Sequence, residues 1–147
     1  MTEIKTYNMN LVAEVSTLMT SKLFTVNPED SLETVNTIFK ENNIHHIPVV
    51  RSRKIIGMIS QTDWKHFLHG YTQNQTDQFM ETTRLNNWKA EDIMTSGLGK
   101  VESTDKLRTV LDIFKLNRFH ALPVVDNDEL VGIITVHDII KALAAEP

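Results

Sequence analysis

The stretch Gly57-Met58-Ile59-Ser60-Gln61-Thr62-Asp63 returns later in the chain as Gly132-Ile133-Ile134-Thr135-Val136-His137-Asp138. Sliding the sequence by 75 positions carries one onto the other without a gap, and the match extends well beyond these residues. Met19-Thr20-Ser21 falls on Met94-Thr95-Ser96, Val26 on Val101, Asp30 on Asp105 and Leu32 on Leu107. Ile38-Phe39-Lys40 falls on Ile113-Phe114-Lys115, His45 on His120, and Pro48-Val49-Val50 on Pro123-Val124-Val125. The chain is therefore two copies of one unit, about residues 14–69 and 89–144, joined by a polar connection at 70–88. Internal duplication restricts the fold severely. Both copies must form the same elements, and a unit this small barely buries its own apolar faces. The two copies are expected to pack sheet on sheet about an approximate two-fold axis.

Each copy has one rhythm. A short apolar strand, Leu23–Val26, leads into Asn27-Pro28-Glu29-Asp30, a helix start with acids where the helix dipole favours them. Leu32, Val35, Ile38 and Phe39 then recur at helical spacing, and the helix stops near Asn42-Asn43. Ile47–Val50 and Ile55–Ile59 read as paired strands around a turn at Arg51–Lys54, and a closing helix starts at about Thr62. The second copy repeats this with Leu107, Val110, Ile113 and Phe114 on its helix. Its strands are Leu122–Val125 and Leu130–Ile134, its turn Asp126–Asp128, and its last helix runs to about Ala144. The fold class is α+β, built from βαββα-type units. In the connection, Phe79, Met80 and Leu85 suggest a helical, docked portion.

Bulk properties remove several functions. The 147 residues are 41% hydrophobic and 23% charged, the balance of an ordinary globular protein. No apolar run approaches the roughly 18 residues that span a bilayer. The opening MTEIKTYNMN lacks a basic region followed by an apolar one, so no signal peptide is expected, and the cytoplasm is the expected location. With no cysteine, disulfides, thiolate metal sites and cysteine nucleophiles are excluded. A net charge of −4 argues against a nucleic-acid backbone as partner, because that binding rests on Lys and Arg.

Ser60-x-x-Asp63 and Thr135-x-x-Asp138 carry the most chemistry and have two readings. A hydroxyl followed three residues later by an acid is a capping-box variant that starts a helix. The same groups could hold a small polar ligand. His45, His46, His66 and His69 invite a metal, and His66 and His69 share a helix face, but no Asp/Glu/His cluster completes a ligand set. Trp64 and Trp88 read as packing residues, Trp64 also as a lining of a pocket mouth or a dimer surface. Pro48 and Pro123 read as shaping the strand start.

The order MTS, valine, helix, His-x-apolar-Pro-Val-Val, Gly-apolar-apolar-Ser/Thr-x-x-Asp, helix, written twice, resembles the cystathionine β-synthase (CBS) domain pair, also called a Bateman module. The resemblance covers nearly the whole chain. It implies two clefts between the paired units and a regulatory ligand carrying an adenosyl group, such as AMP, ADP, ATP, S-adenosylmethionine, an NAD-type molecule or a cyclic dinucleotide. No other cofactor is required. An aspartate in the first turn of a helix can accept hydrogen bonds from both ribose hydroxyls, a charge-assisted and therefore strong kind. The Ser or Thr three residues earlier stands beside the free N–H groups of the helix start, where phosphate binds readily. The glycine before it lets backbone and ligand approach closely.

By the family pattern, each cleft takes its hydroxyl–aspartate pair from one copy and its base and phosphate contacts from the other. One pocket would combine Ser60 and Asp63 with Lys100, Val101, His120, Ala121 and Leu122. The other would combine Thr135 and Asp138 with Thr25, Val26, His45, His46 and Ile47. The second matches the pattern better, with its threonine and two adjacent histidines.

Three functions follow. The first is a stand-alone regulatory module that binds an adenosyl metabolite, forms a homodimer and signals to a separate effector protein. The second is a ligand-free scaffold for dimerisation or partner binding. The third is an enzyme, against which stand the lack of a Walker-type glycine loop, an activated-nucleophile motif and a metal triad. Neither a membrane nor a nucleic acid is expected as partner.

Overall fold

A computed structural model of the chain describes residues 9–72 and 85–145. It divides into two compact units, one formed by Leu23–Leu98 and the other by Met1–Lys22 together with Gly99–Pro147.

In the first unit, Val26 leads to helix α1 (Leu32–Glu41), the hairpin β1 (His46–Arg51) and β2 (Lys54–Ser60), and helix α2 (Gln61–Thr72). The short helix α3 (Ala90–Ile93) completes it. In the second, a 3-10 turn (Val15–Thr17) accompanies Val101, helix α4 (Leu107–Lys115), the hairpin β3 (Ala121–Asp126) and β4 (Glu129–Thr135), and helix α5 (Val136–Ala145). Each unit is thus the mixed α and β arrangement expected from the repeat, around an antiparallel two-stranded sheet.

The hairpins are built alike. Val49 pairs with Gly57 and Val50 with Ile55, leaving Ile56 as a bulge; Val124, Gly132, Val125 and Leu130 repeat this around Val131. Each turn has two central residues with positive φ, Ser52 (51°) with Arg53 (67°) and Asn127 (50°) with Asp128 (64°). That is the type I′ pattern, whose twist suits a two-residue hairpin. Pro48 sits inside β1. Its carbonyl accepts from Val26 N–H (3.1 Å), so its nitrogen faces that same edge and its missing N–H removes no bond of the β1–β2 ladder.

The strand expected at Leu23–Val26 is a single parallel bridge, Val26 to Val49, matched by Val101 to Val124. The reason lies just downstream. Asn27 N–H donates to the Asp30 carboxylate (2.8 Å), and Glu102 N–H to Asp105 (2.8 Å), so the chain turns immediately after the valine. Asp30 therefore folds this turn, whereas Ser31 is the N-cap of α1 and accepts from Thr34 N–H (3.4 Å).

The cores follow the repeat. Val26, Leu32, Val35, Ile47, Val49 and Ile59 are buried in one unit, and Val101, Leu107, Val110, Leu122, Val124 and Ile134 in the other. Trp64 is a core residue, only 3% exposed and stacked against Phe39 and Phe67, so it lines no pocket mouth. Trp88 is partly exposed and meets Phe67 edge-on. In the connection, Leu85 is helical and buried, whereas Phe79 and Met80 lie outside the described residues.

The leader segments at the start of each repeat are exchanged. The leader of the first repeat docks on the second: Val15 N–H donates to Asp105 O (2.8 Å) and Leu107 N–H to Ala13 O (2.9 Å). The leader of the second docks on the first through the equivalent bonds, Ala90 N–H to Asp30 O (2.8 Å) and Leu32 N–H to Trp88 O (2.9 Å). Val15 and Ala90 hold equivalent places and are both fully buried. The compact units therefore cut across the sequence repeats.

Candidate functional site

Thr135 ends β4 and Asp138 stands in the first turn of α5. The Thr135 hydroxyl accepts from Asp138 N–H (3.0 Å), and Asp138 Oδ2 accepts from Thr135 N–H (2.9 Å). This is a complete reciprocal cap. The other carboxylate oxygen, Oδ1, accepts from the hydroxyl of Thr20 (3.3 Å). Thr20 reaches this position because its backbone bridges to β4: its N–H donates to Ile133 O (2.8 Å) and its carbonyl accepts from Ile133 N–H (2.9 Å). Two polar groups, the Thr20 hydroxyl from the leader and the Thr135 N–H from the strand end, thus converge on one half-buried carboxylate at the helix start.

The first repeat has the same frame. Ser60 ends β2, and its hydroxyl accepts from Asp63 N–H (3.0 Å). Asp63 is exposed at the first turn of α2. Thr95, the counterpart of Thr20, bridges to Met58 in both directions (2.8 and 2.9 Å).

Of the remaining expected residues, those at the start of each hairpin lie beside the cap of their own unit. Ala121 is opposite Thr135 in the hairpin, and His120 O accepts from Val136 N–H (2.9 Å). Leu122 and Val101 are buried core residues, whereas Lys100 and His120 are exposed. In the other unit, His46 is opposite Ser60 and His45 O accepts from Gln61 N–H (2.7 Å). Ile47 and Val26 are buried and Thr25 is exposed. The buried members offer only backbone or the edge of a side chain to a ligand. His45, His120, Lys100 and Thr25 are the exposed polar members of the set, and His46 is half-buried. Among the described residues, no group of three or more His, Asp or Glu is placed to hold a metal ion, and no helix is long and apolar enough to cross a membrane.

Sequence reasoning passed over Thr20. The signal was available, since Met19-Thr20-Ser21 is among the best-kept parts of the repeat. The glycines also have a different neighbour from the one expected. A Cβ on Gly57 or Gly132 would collide with Met94 or Met19 of the docked leader, so the close approach they allow is to the protein's own methionine.

Two carboxylates away from the caps are electrostatically perturbed. Asp126 accepts from both the hydroxyl and the backbone N–H of Ser103, which holds its pKa below the usual aspartate range. At the equivalent hairpin position of the first repeat, Arg51 pairs with Glu29 (2.6 Å), and that hydrogen bond lowers the Glu29 pKa.

A duplicated mixed unit, with a hydroxyl–aspartate cap at each hairpin-to-helix junction, defines a tandem CBS architecture. The chain belongs to the CBS domain family, whose model matches residues 12–70 and 90–145. It is 31% identical over 130 residues to the uncharacterized protein MJ1225 of Methanocaldococcus jannaschii, covering 86% of this chain and 45% of that protein. The crystal structure of MJ1225 superposes with a TM-score of 0.74 at 26% identity, over 91% of this chain and 49% of that one. The CBS domain pair of protein MJ0100, solved with 5′-methylthioadenosine and S-adenosyl-L-methionine, has a TM-score of 0.73 at 22% identity, over 92% of this chain and 99% of that one. CBSX2, solved in complex with AMP, has a TM-score of 0.70 at 22% identity, over 88% and 94%. The chain spans less than half the length of the first curated relatives it matches.

Proposed function

We propose that this chain is a regulatory module that binds an adenosyl small molecule at its hydroxyl–aspartate caps, with Thr135–Asp138 as the principal anchor. The observation that carries the reading is the convergence of Thr20 and Thr135 on the Asp138 carboxylate in the first turn of α5. An ionised carboxylate has about four acceptor positions, so two protein bonds leave capacity for ribose hydroxyls. The Thr20 bond orients Oδ1 and, at 3.3 Å, leaves that oxygen room to accept from a ligand hydroxyl beside it. Support also comes from two structural relatives, one solved with AMP and one with 5′-methylthioadenosine and S-adenosyl-L-methionine. The ligand favours one arrangement of the chain by its differential affinity, and that shift acts on a separate effector protein. The chain supplies no catalytic step.

One observation favours a ligand-free scaffold instead. Both oxygens of Asp138 already have protein partners, so the motif is a satisfied helix start as it stands. Thermal melting and calorimetry with AMP, ADP, ATP, S-adenosylmethionine, NAD(H) and cyclic di-AMP separate the two. Under the sensor reading, one compound at about 100 times its Kd raises stability by roughly 2.7 kcal/mol. That gain is lost in Asp138→Ala and kept in Asp63→Ala. No response to any compound from a folded wild type overturns the sensor reading. His46→Ala and His120→Ala then report which repeat supplies the remaining contacts.

A further inference from the structure

Gly57 and Gly132 are the only glycines that the repeat carries in both copies. Neither has a positive φ, a conformation that among the described glycines belongs to Gly97 alone, so backbone freedom does not explain them. Space does. A Cβ on Gly132 would lie 2.7 Å from Met19 Sδ and 3.0 Å from the carbonyl oxygen of Thr20. On Gly57, a Cβ would lie 2.7 Å from Met94 Cγ. In each unit a methionine of the leader fills the hollow left by a strand glycine. The residue after each methionine is the threonine that bridges to that strand. In the second repeat it is Thr20, whose hydroxyl reaches Asp138.

We infer that Met19 and Gly132 are a knob and hollow that position Thr20 against Asp138. Both act as positioning residues for the proposed ligand anchor, and the consequence for ligand binding rests on that reading. The geometry explains why an added methyl matters here. Met19 is flexible and can turn aside, but the Thr20 carbonyl is backbone and is held by Ile133 N–H at 2.9 Å. Filling the hollow therefore pushes on the same peptide that carries Thr20 to the carboxylate.

The test is a double-mutant cycle of Gly132→Ala and Met19→Ala, read by amide hydrogen exchange at Thr20 and Ile133. Gly132→Ala should speed exchange at both amides about tenfold or more, with Val50 in the other unit unchanged as an internal check on folding. Adding Met19→Ala should recover part of that loss, the remainder reflecting the 3.0 Å approach to the Thr20 carbonyl. Wild-type exchange in Gly132→Ala, or no recovery in the double variant, overturns the inference. Calorimetry with AMP and S-adenosylmethionine adds a functional readout. Gly132→Ala should lose about as much affinity as Thr20→Val, although Thr20→Val keeps the backbone bridge and its exchange protection. If Thr20→Val binds as the wild type does, the positioning has no role in binding and the functional part of the inference fails. If the wild type binds none of the six adenosyl compounds, the sensor reading fails while the exchange cycle still decides the positioning.

Discussion

Replacing Val15 by alanine should weaken the unit built on the second repeat, although residue 15 belongs to the first in sequence. Val15 is fully buried and belongs to the core formed by Val101, Leu107, Val110, Leu122, Val124, Ile134 and Ile139. The substitution removes two buried carbons, at about 0.8 kcal/mol each, and leaves a cavity that adds to the loss. The total is about 2–3 kcal/mol. At roughly 1.4 kcal/mol per tenfold, that corresponds to a 30-fold to 150-fold faster exchange of amides protected by opening of this unit. The informative amides are Leu107, which donates to Ala13 O, and Val125, which donates to Val101 O. Val50, which donates to Val26 O, reports the other unit. Ala90→Val is the reciprocal experiment. It overfills a fully buried site, costs about 1–3 kcal/mol, and should accelerate Val50 while sparing Leu107 and Val125. Equal acceleration of all three amides in either variant, or acceleration confined to the repeat adjoining the substitution, refutes the exchange of leaders as the source of these stabilities.

Two further outcomes follow from local features. Asp126 has its pKa lowered by Ser103, so the folded state binds its proton less readily than the unfolded chain does. Its contribution to stability is present above the ordinary aspartate range and is lost as pH falls through the lowered value. Asp126→Asn should therefore melt below the wild type at neutral pH, and the gap should close in strong acid; a gap independent of pH rules out the charge as its source. At the first hairpin, Ser52→Asn with Arg53→Gly supplies the residues that two positive φ angles favour. It should stabilise by about 1 kcal/mol and raise Tm by about 2–4 °C, whereas an unchanged or lower Tm shows that the present turn carries no strain.

The elements were legible because their signals are local and doubled. Leu32, Val35 and Phe39 at helical spacing, the Pro-Val-Val strand and the turn at Arg51–Lys54 all took the form that their spacing implied. The apolar stretch Leu23–Val26 failed as a strand because Asp30 bends the chain just beyond it, a side-chain effect that hydrophobic pattern does not register. The caps were legible as helix starts in both copies. Thr20 was not, because its relation to Asp138 spans 118 positions and depends on where the leader docks. The glycines were legible as sites of close approach, but the approaching group lay in another segment of the sequence.

The exchange of leaders could not have come from pattern alone, because either leader presents the same backbone to either repeat. Side-chain size breaks that degeneracy. Trp64 and Ile139 are equivalent positions of the two repeats, and so are Ala90 and Val15. The core that holds the large Trp64 holds the small Ala90, and the core that holds the smaller Ile139 holds the larger Val15. Docking each leader on its own repeat would place valine in the core with tryptophan and alanine in the core with isoleucine. The first overfills a close-packed interior and the second leaves a void, and both are destabilising. The two differences compensate only in the exchanged arrangement, so side-chain volume favours this pairing of leaders with repeats. The same pairing brings Thr20 to Asp138. A volume change at residue 15 or 90 that loosens a leader should therefore be felt at the hydroxyl–aspartate cap of the unit on which that leader docks.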